Sequence, residues 1–323
     1  MIIHTSENAI SRLPQIQPDT SLPLRDILHL ILAGGPAQTV YNLSSGVHQR
    51  AVDFLCQDSG AIKEDSRYGP YFADTGDTRA FEFSGILAVA GIHFPGTVIR
   101  TDRGNEGTLV DVAGAAMASF VLNEAEHGWA LMLFSVFPGI LREWNNAKGD
   151  LVSLERILQK ECTVPYGEGF CFGTHRIEGI AFAVSRCCVE KDIEPHELEG
   201  VWKDAYQYLL GAVNLMKRNQ KEDGSLDRCW FRETAIPRRP AEWAQRLKDV
   251  AAHRFHPAEA VVYPTGHCLD AVSSIAEFVT ADREWIEQAC YILAQTIETQ
   301  WTEVGRKVSQ LSHAIHALKI LDL

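Results

Sequence analysis

The chain has 323 residues, 46% of them hydrophobic and 22% charged, and a formal net charge of −12. That balance is ordinary for a globular protein and excludes a disordered or low-complexity chain. The negative charge has no Lys/Arg-rich run to offset it, which argues against nucleic acid and against an anionic membrane surface as partners.

The N-terminal MIIHTSENAISRLPQ lacks a basic start and an apolar core, so no export signal is expected and the reading is cytoplasmic. The eight cysteines are therefore expected to stay reduced. Cys187 and Cys188 are adjacent, and Cys171, Cys268 and Cys290 sit in apolar helical patterns, which reads as buried thiols acting as small hydrophobes. Residues 1–22 carry Pro14 and Pro18, are followed by Pro23, and read as an extended arm. The first helix is expected over residues 23–34, ending at Gly34-Gly35. Segment 66–83 is rich in Gly and Asp and reads as a rim loop. Strand signals are sparse, and residues 92–101 are the best of them. The longest apolar run, near 130–140, is broken by Pro138 and falls short of the ~20 residues that a membrane span needs.

Beyond this point two kinds of helix alternate. EGVWKDAYQYLLGAVNLMKRNQ (199–220) and REWIEQACYILAQTIETQ (283–300) have apolar residues along one face. GTHRIEGIAFAV (173–184), TGHCLDAVSSIAEFV (265–279) and LSHAIHALKIL (311–321) are apolar nearly all round and must be buried all round. Half-exposed helices outside and buried helices inside make an α/α toroid. The buried helices recur: His175 to His267 is 92 residues and His267 to His313 is 46, with His127 lying 48 residues before His175. A period near 46 suits a helix pair. The repeat between His175 and His267 is irregular, with Pro237, Pro240 and an amphipathic helix near 241–252. The expected fold is an all-α toroid of about six helix pairs over residues 23–323, with residues 1–22 as its arm.

Two segments resemble the terpenoid cyclase and protein prenyltransferase superfamily. NQKEDGSLDRCWF (219–231) resembles the Q-x-x-D-G-S-[FW] turn that closes its outer helices, and DVAGAAMASF (111–120) resembles the D-V-D-D-T-A-M-A segment of proton-initiated cyclases. GTHRIEG and TGHCLDA look like helix starts of uncharacterised bacterial toroid proteins. The resemblance runs from about residue 105 to 323 and implies the fold more than an activity. Only Asp111 matches the cyclase acid motif; Ala113 and Gly114 replace its other aspartates. Asp227-Arg228-Cys229-Trp230 resembles the D-x-C-[YW] of prenyltransferases, which implies a zinc held by Asp227, Cys229 and His267. The register is off by a turn, because Pro264 aligns with the family's histidine.

From the residues themselves, the strongest constellation is the repeated helix start: His175-x-x-Glu178, His267-x-x-Asp270 and His313-x-x-His316, preceded by Thr174, by Thr265-Gly266 and by Ser312. Positions i and i+3 share a helix face. Imidazole beside a carboxylate can give or take protons near neutrality, and three such pairs supply enough ligands for a metal. Thr174 and Ser312 also fit helix caps, under which the histidines would be structural. Asp111, His127, Trp129, Phe172, Arg176 and Trp230 are candidate substrate contacts. Three readings stay open: an acid–base enzyme acting on an isoprenoid- or sugar-like small molecule (lyase, isomerase, cyclase or hydrolase), a zinc enzyme of prenyltransferase type, and a non-catalytic toroid that binds a peptide or lipid. Oligomeric state is not legible.

Overall fold

The computed structural model describes residues 2–11, 16, 18–65, 69–73, 81–123, 127–137, 143–231, 248, 255–276 and 283–321. The expected helix near 241–252, apart from residue 248, and most of the expected rim loop at 66–83 lie outside the described residues. The described chain is mostly helical, and none of its helices is long and apolar enough to cross a membrane. It forms two compact units: residues 14–157, and residues 1–13 with 158–323.

The unit formed by residues 14–157 mixes helices with four antiparallel hairpins. Its helices include α2 (Leu24–Gly34), α3 (Glu82–Val89), α4 (Leu109–Ser119) and α5 (Gly128–Phe134). The hairpins pair Thr39–Asn42 with Val47–Arg50, Ile62–Asp65 with Gly69–Ala73, Val98–Arg100 with Glu106–Thr108, and Trp144–Asn145 with Leu151–Val152. Only the third overlaps the expected strand segment. Two of the turns are closed by asparagine. Asn42 Oδ1 accepts from the backbone of Ser44 and Ser45, and Asn146 Oδ1 from that of Lys148 and Asp150, the local bonding that favours Asn in turns. The apolar run near 130–140 supplies α5, buried from Gly128 to Phe134.

The other unit contains α1 (Ile2–Ser11), α7 (Thr174–Lys191), α8 (Gly200–Arg218), α9 (Pro257–Ser273), α10 (Glu284–Thr299) and α11 (Val308–Leu321). A further helix, α6 (Leu154–Glu161), leads into it along the chain. The segment read as an extended arm therefore carries a helix. Asn8 Nδ2 of α1 donates to Glu298 Oε1 of α10 at 3.4 Å. The expected alternation is present. α7 is buried from Thr174 to Ala181, α9 from Pro264 to Ser273 and α11 from Leu311 to Leu318, whereas α8 buries one face through Trp202, Ala205, Leu209, Ala212, Val213 and Met216. α9 packs against α7, α10 and α11. The approach of α9 to α11 is close at Gly266, where a Cβ would lie 2.9 Å from Ala314 Cα. That glycine makes room for a helix, not for a ligand.

The QKEDGSL segment (220–226) ties α8 to two neighbours. Gln220 Nε2 donates to Gly224 O and to Trp285 O in α10, and Leu226 N donates to Thr265 Oγ1 in α9. Gly224 has φ +89, as the Asp-Gly step predicts, and a Cβ there would lie 3.0 Å from Gln288 O. Gly224→Val is expected to cost roughly 2–4 kcal/mol, the left-handed backbone and the overpacking contributing comparably. Equilibrium urea unfolding checks this, and an unchanged midpoint would contradict it.

Candidate functional site

α7, α9 and α11 bring three histidines together. Ring centroids lie 5.5 Å apart for His175 and His267, 5.2 Å for His175 and His313, and 4.1 Å for His267 and His313. All three side chains are buried. Only His175 sits at a helix start. His267 lies well inside α9, which begins at Pro257 with the His256 ring accepting from Ala258 N as its cap. His313 is likewise interior to α11. Neither expected cap residue is an N-cap. Thr174 Oγ1 donates to Cys171 O, and Ser312 is buried within α11.

The i, i+3 pairs regroup across helices. His175 keeps its own partner, with Nδ1 3.4 Å from Glu178 Oε2. Asp270 does not serve His267. Its two oxygens instead take His313 Nδ1 and His316 Nδ1, each at 2.6 Å. An ionised carboxylate only accepts, so both rings donate through Nδ1–H and their tautomers are fixed. The i, i+3 spacing on α11 is what lets two rings reach one carboxylate on α9. His267 Nδ1 lies 3.0 Å from Tyr263 O, one turn earlier in α9. A carbonyl also only accepts, so here too Nδ1 carries the proton and Nε2 the lone pair.

Burial alone would raise the Asp270 carboxyl, but the charge of His316 and the hydrogen bonds from His313 and His316 overcome it and hold the group well below the usual carboxylate range. Glu178 goes the other way. Its complete burial, reinforced by the negative charge of Asp270, pushes its carboxyl well above the usual range. Among the described residues Glu178 Oε1 has no hydrogen-bond partner, a state that costs a structural side chain about 1–3 kcal/mol. Carboxyl groups driven apart in this way are what separates an acid from a base in known active sites.

Donor atoms of Glu178, Asp270 and His313 lie within 4.8 Å of one another, as do those of Cys171, His175 and His267. Asp227 and Cys229 belong to neither group. Asp227 Oδ1 accepts from Cys229 N at 2.8 Å in a local turn, and Cys229 is buried. Cys171, expected to be a buried thiol, is half-buried and held in an unusual backbone. Cys171 and Phe172 have φ of 47° and 60°, and Gly173 continues the run at 76°. Two successive non-Gly residues in the left-handed region carry strain of the kind that collects at functional sites. Cys162 is half-buried too, and burial pushes it, like the buried Cys56 and Cys290, up to about 12, which makes these thiols poor nucleophiles. All eight cysteines are unbridged.

The candidate substrate contacts divide. Phe172 lies near the histidines, its ring 5.7 Å from that of Tyr263, which is 4.7 Å from His267. Arg176 is taken up by Glu161 Oε2 at 2.8 Å and Glu168 O at 2.7 Å. Trp230 is fully buried against Tyr166 and Phe231. The others belong to the unit of residues 14–157. There Asp111 closes a capping box with Thr108, His127 donates from Nε2 to Leu122 O with its ring on Phe120, and Trp129 is buried against Gly85.

Comparison of the chain with known protein families, with curated proteins and with solved structures finds no match.

Proposed function

We propose that the unit containing α7, α9 and α11 is an enzyme acting on a small molecule by acid–base chemistry, with His313 as the base and Asp270 as the group that orients it. The observation that carries this is the Asp270 carboxylate held at 2.6 Å by Nδ1 of both His313 and His316, inside a buried cluster with His175, Glu178 and His267. With Nδ1–H committed to Asp270, proton transfer by His313 falls to Nε2. The imidazolium that forms on proton uptake is stabilised by the carboxylate, and Glu178 is placed to return a proton. A base positioned in this way contributes ~10²–10⁴-fold to rate. Lyase, isomerase, cyclase and hydrolase chemistry all use such a pair. The architecture that goes with this reading is an α/α toroid related to the terpenoid cyclase and prenyltransferase superfamily. It is supported by the all-round burial of α7, α9 and α11 beside the one-faced α8, and by the QKEDGS turn at the end of α8.

The test is conversion of a small-molecule extract in deuterated water, followed by mass spectrometry. Wild type should deplete or label at least one compound, and His313→Gln should lose that conversion by ~10²-fold or more while its unfolding midpoint stays within a few degrees. Conversion that persists in His313→Gln, or a wild type indistinguishable from buffer, removes the catalytic reading and leaves a non-catalytic, ligand-binding protein.

A further inference from the structure

We infer that Cys171, His175 and His267 form a binding site for one zinc-class divalent cation, with its fourth position open. This goes beyond the acid–base reading and does not depend on it. Donor atoms of the three residues already lie within 4.8 Å of one another. A tetrahedral zinc with bonds of ~2.0–2.3 Å needs its donors roughly 3.5 Å apart, so only a small side-chain adjustment separates the present arrangement from coordination.

The surroundings carry the inference further than proximity does. Histidine ligands of metals normally give their other ring nitrogen to a carboxylate or a backbone carbonyl, which fixes the tautomer and aims the ring. Both arrangements occur here. Glu178 Oε2 lies 3.4 Å from His175 Nδ1, and Tyr263 O lies 3.0 Å from His267 Nδ1. The carbonyl contact assigns Nε2 of His267 as a ligand atom, and His175 offers Nε2 likewise when Glu178 is the acceptor. The third donor rides on the strained Cys171-Phe172-Gly173 run. Thr174 Oγ1 fastens this run from within by donating to Cys171 O at 2.7 Å. A thiolate with two neutral imidazoles leaves a bound divalent ion one net positive charge, with an acidic side chain in the next shell. Thiolate and imidazole together select zinc over the oxygen-seeking magnesium and calcium. The loop that carries the thiol reaches the surface: Cys171 and Phe172 are half-buried and Phe170 is exposed. Three protein ligands leave one position for water or for a substrate oxygen.

The set differs from the one implied by the prenyltransferase-like motif, in which Asp227 and Cys229 accompany His267, so a cysteine exchange discriminates. The full chain, stripped with a chelator, is titrated with Co(II) as a spectroscopic probe and then with zinc in competition. One equivalent of cobalt should produce thiolate-to-metal absorption in the near ultraviolet. Cys171→Ser should lose that absorption and Cys229→Ser should keep it. His175→Ala and His267→Ala should weaken zinc binding by more than the ~10–100-fold expected for an outer-shell partner, while Glu178→Gln should fall within that range. Absence of the band at one equivalent, or a band lost in Cys229→Ser and kept in Cys171→Ser, overturns the site. If Cys171→Ser fails to fold, wild type decides alone. One equivalent of zinc should protect Cys171 from alkylation, as mapped by mass spectrometry, and undiminished alkylation overturns the site.

Discussion

Asp270→Ala is expected to be the most damaging single substitution in the buried cluster, lowering stability by about 3–5 kcal/mol and the melting temperature by roughly 10 °C. The carboxylate is buried and receives two imidazole N–H groups at 2.6 Å. Its removal leaves two donors in the core without their acceptor, and it is this desolvation cost, more than the strength of the lost bonds, that sets the magnitude. The same geometry fixes the acid limb of the stability curve. The folded-state pKa of Asp270 is depressed, so its contribution is fully present above the unfolded value of ~3.9. That contribution is lost as the pH falls below that value and on through the folded one. Wild type should therefore lose stability steeply below pH ~4, and Asp270→Asn, with no carboxylate to protonate, should show a shallower slope there. Chemical unfolding between neutral and acid pH measures both. Parallel slopes would mean that another group sets the acid limb.

Much of the second unit is legible in the sequence because burial leaves a periodic trace. The all-round apolar segments at 173–184, 265–279 and 311–321 could only be interior helices, and the His repeat on them put three rings on interior elements. What the sequence hides is how polar partners sort across helices. His267-x-x-Asp270 has the spacing of a pair within one helix, yet Asp270 turns to His313 and His316, because α9 approaches α11 closely at Gly266. The start of α9 is also misread. Pro264 suggests a boundary, with Thr265-Gly266 as the start, but the helix already begins at Pro257 and passes through Pro264. Helix α1 is masked by the proline-rich stretch that follows it. Hairpins with strands of two to five residues are too short for alternation to register. Cys171 was findable in one respect: it stands four residues before His175 in a Gly-rich loop. Nothing local reveals that left-handed backbone at Cys171 and Phe172 brings its donor atom within reach of His267.

Arg176 offers the second large effect, and it separates a structural arginine from a substrate-binding one. As a residue next to His175 at a helix start, it fits the recognition of an anionic substrate group. In the structure its Nε donates to Glu161 Oε2 at 2.8 Å and Nη1 to Glu168 O at 2.7 Å, with both Arg176 and Glu161 buried. The guanidinium therefore pins the loop of residues 163–173, which carries Cys171, onto the start of α7. Arg176→Met should cost up to about 3–5 kcal/mol, since it leaves the buried Glu161 carboxylate with only the partly exposed Lys160 ammonium, 3.5 Å from Oε1, as counter-charge. Removing the stranded charge as well, in Glu161→Leu/Arg176→Met, should recover a large part of that loss, because a buried ion pair replaced by apolar groups of similar size is often neutral. The recovery should be incomplete, since Glu168 O still lacks its donor. A double-mutant cycle of unfolding free energies reads this directly. If Arg176→Met instead keeps the wild-type midpoint and raises KM for the converted compound at constant kcat, then Arg176 is a substrate contact after all and the loop is held by other bonds.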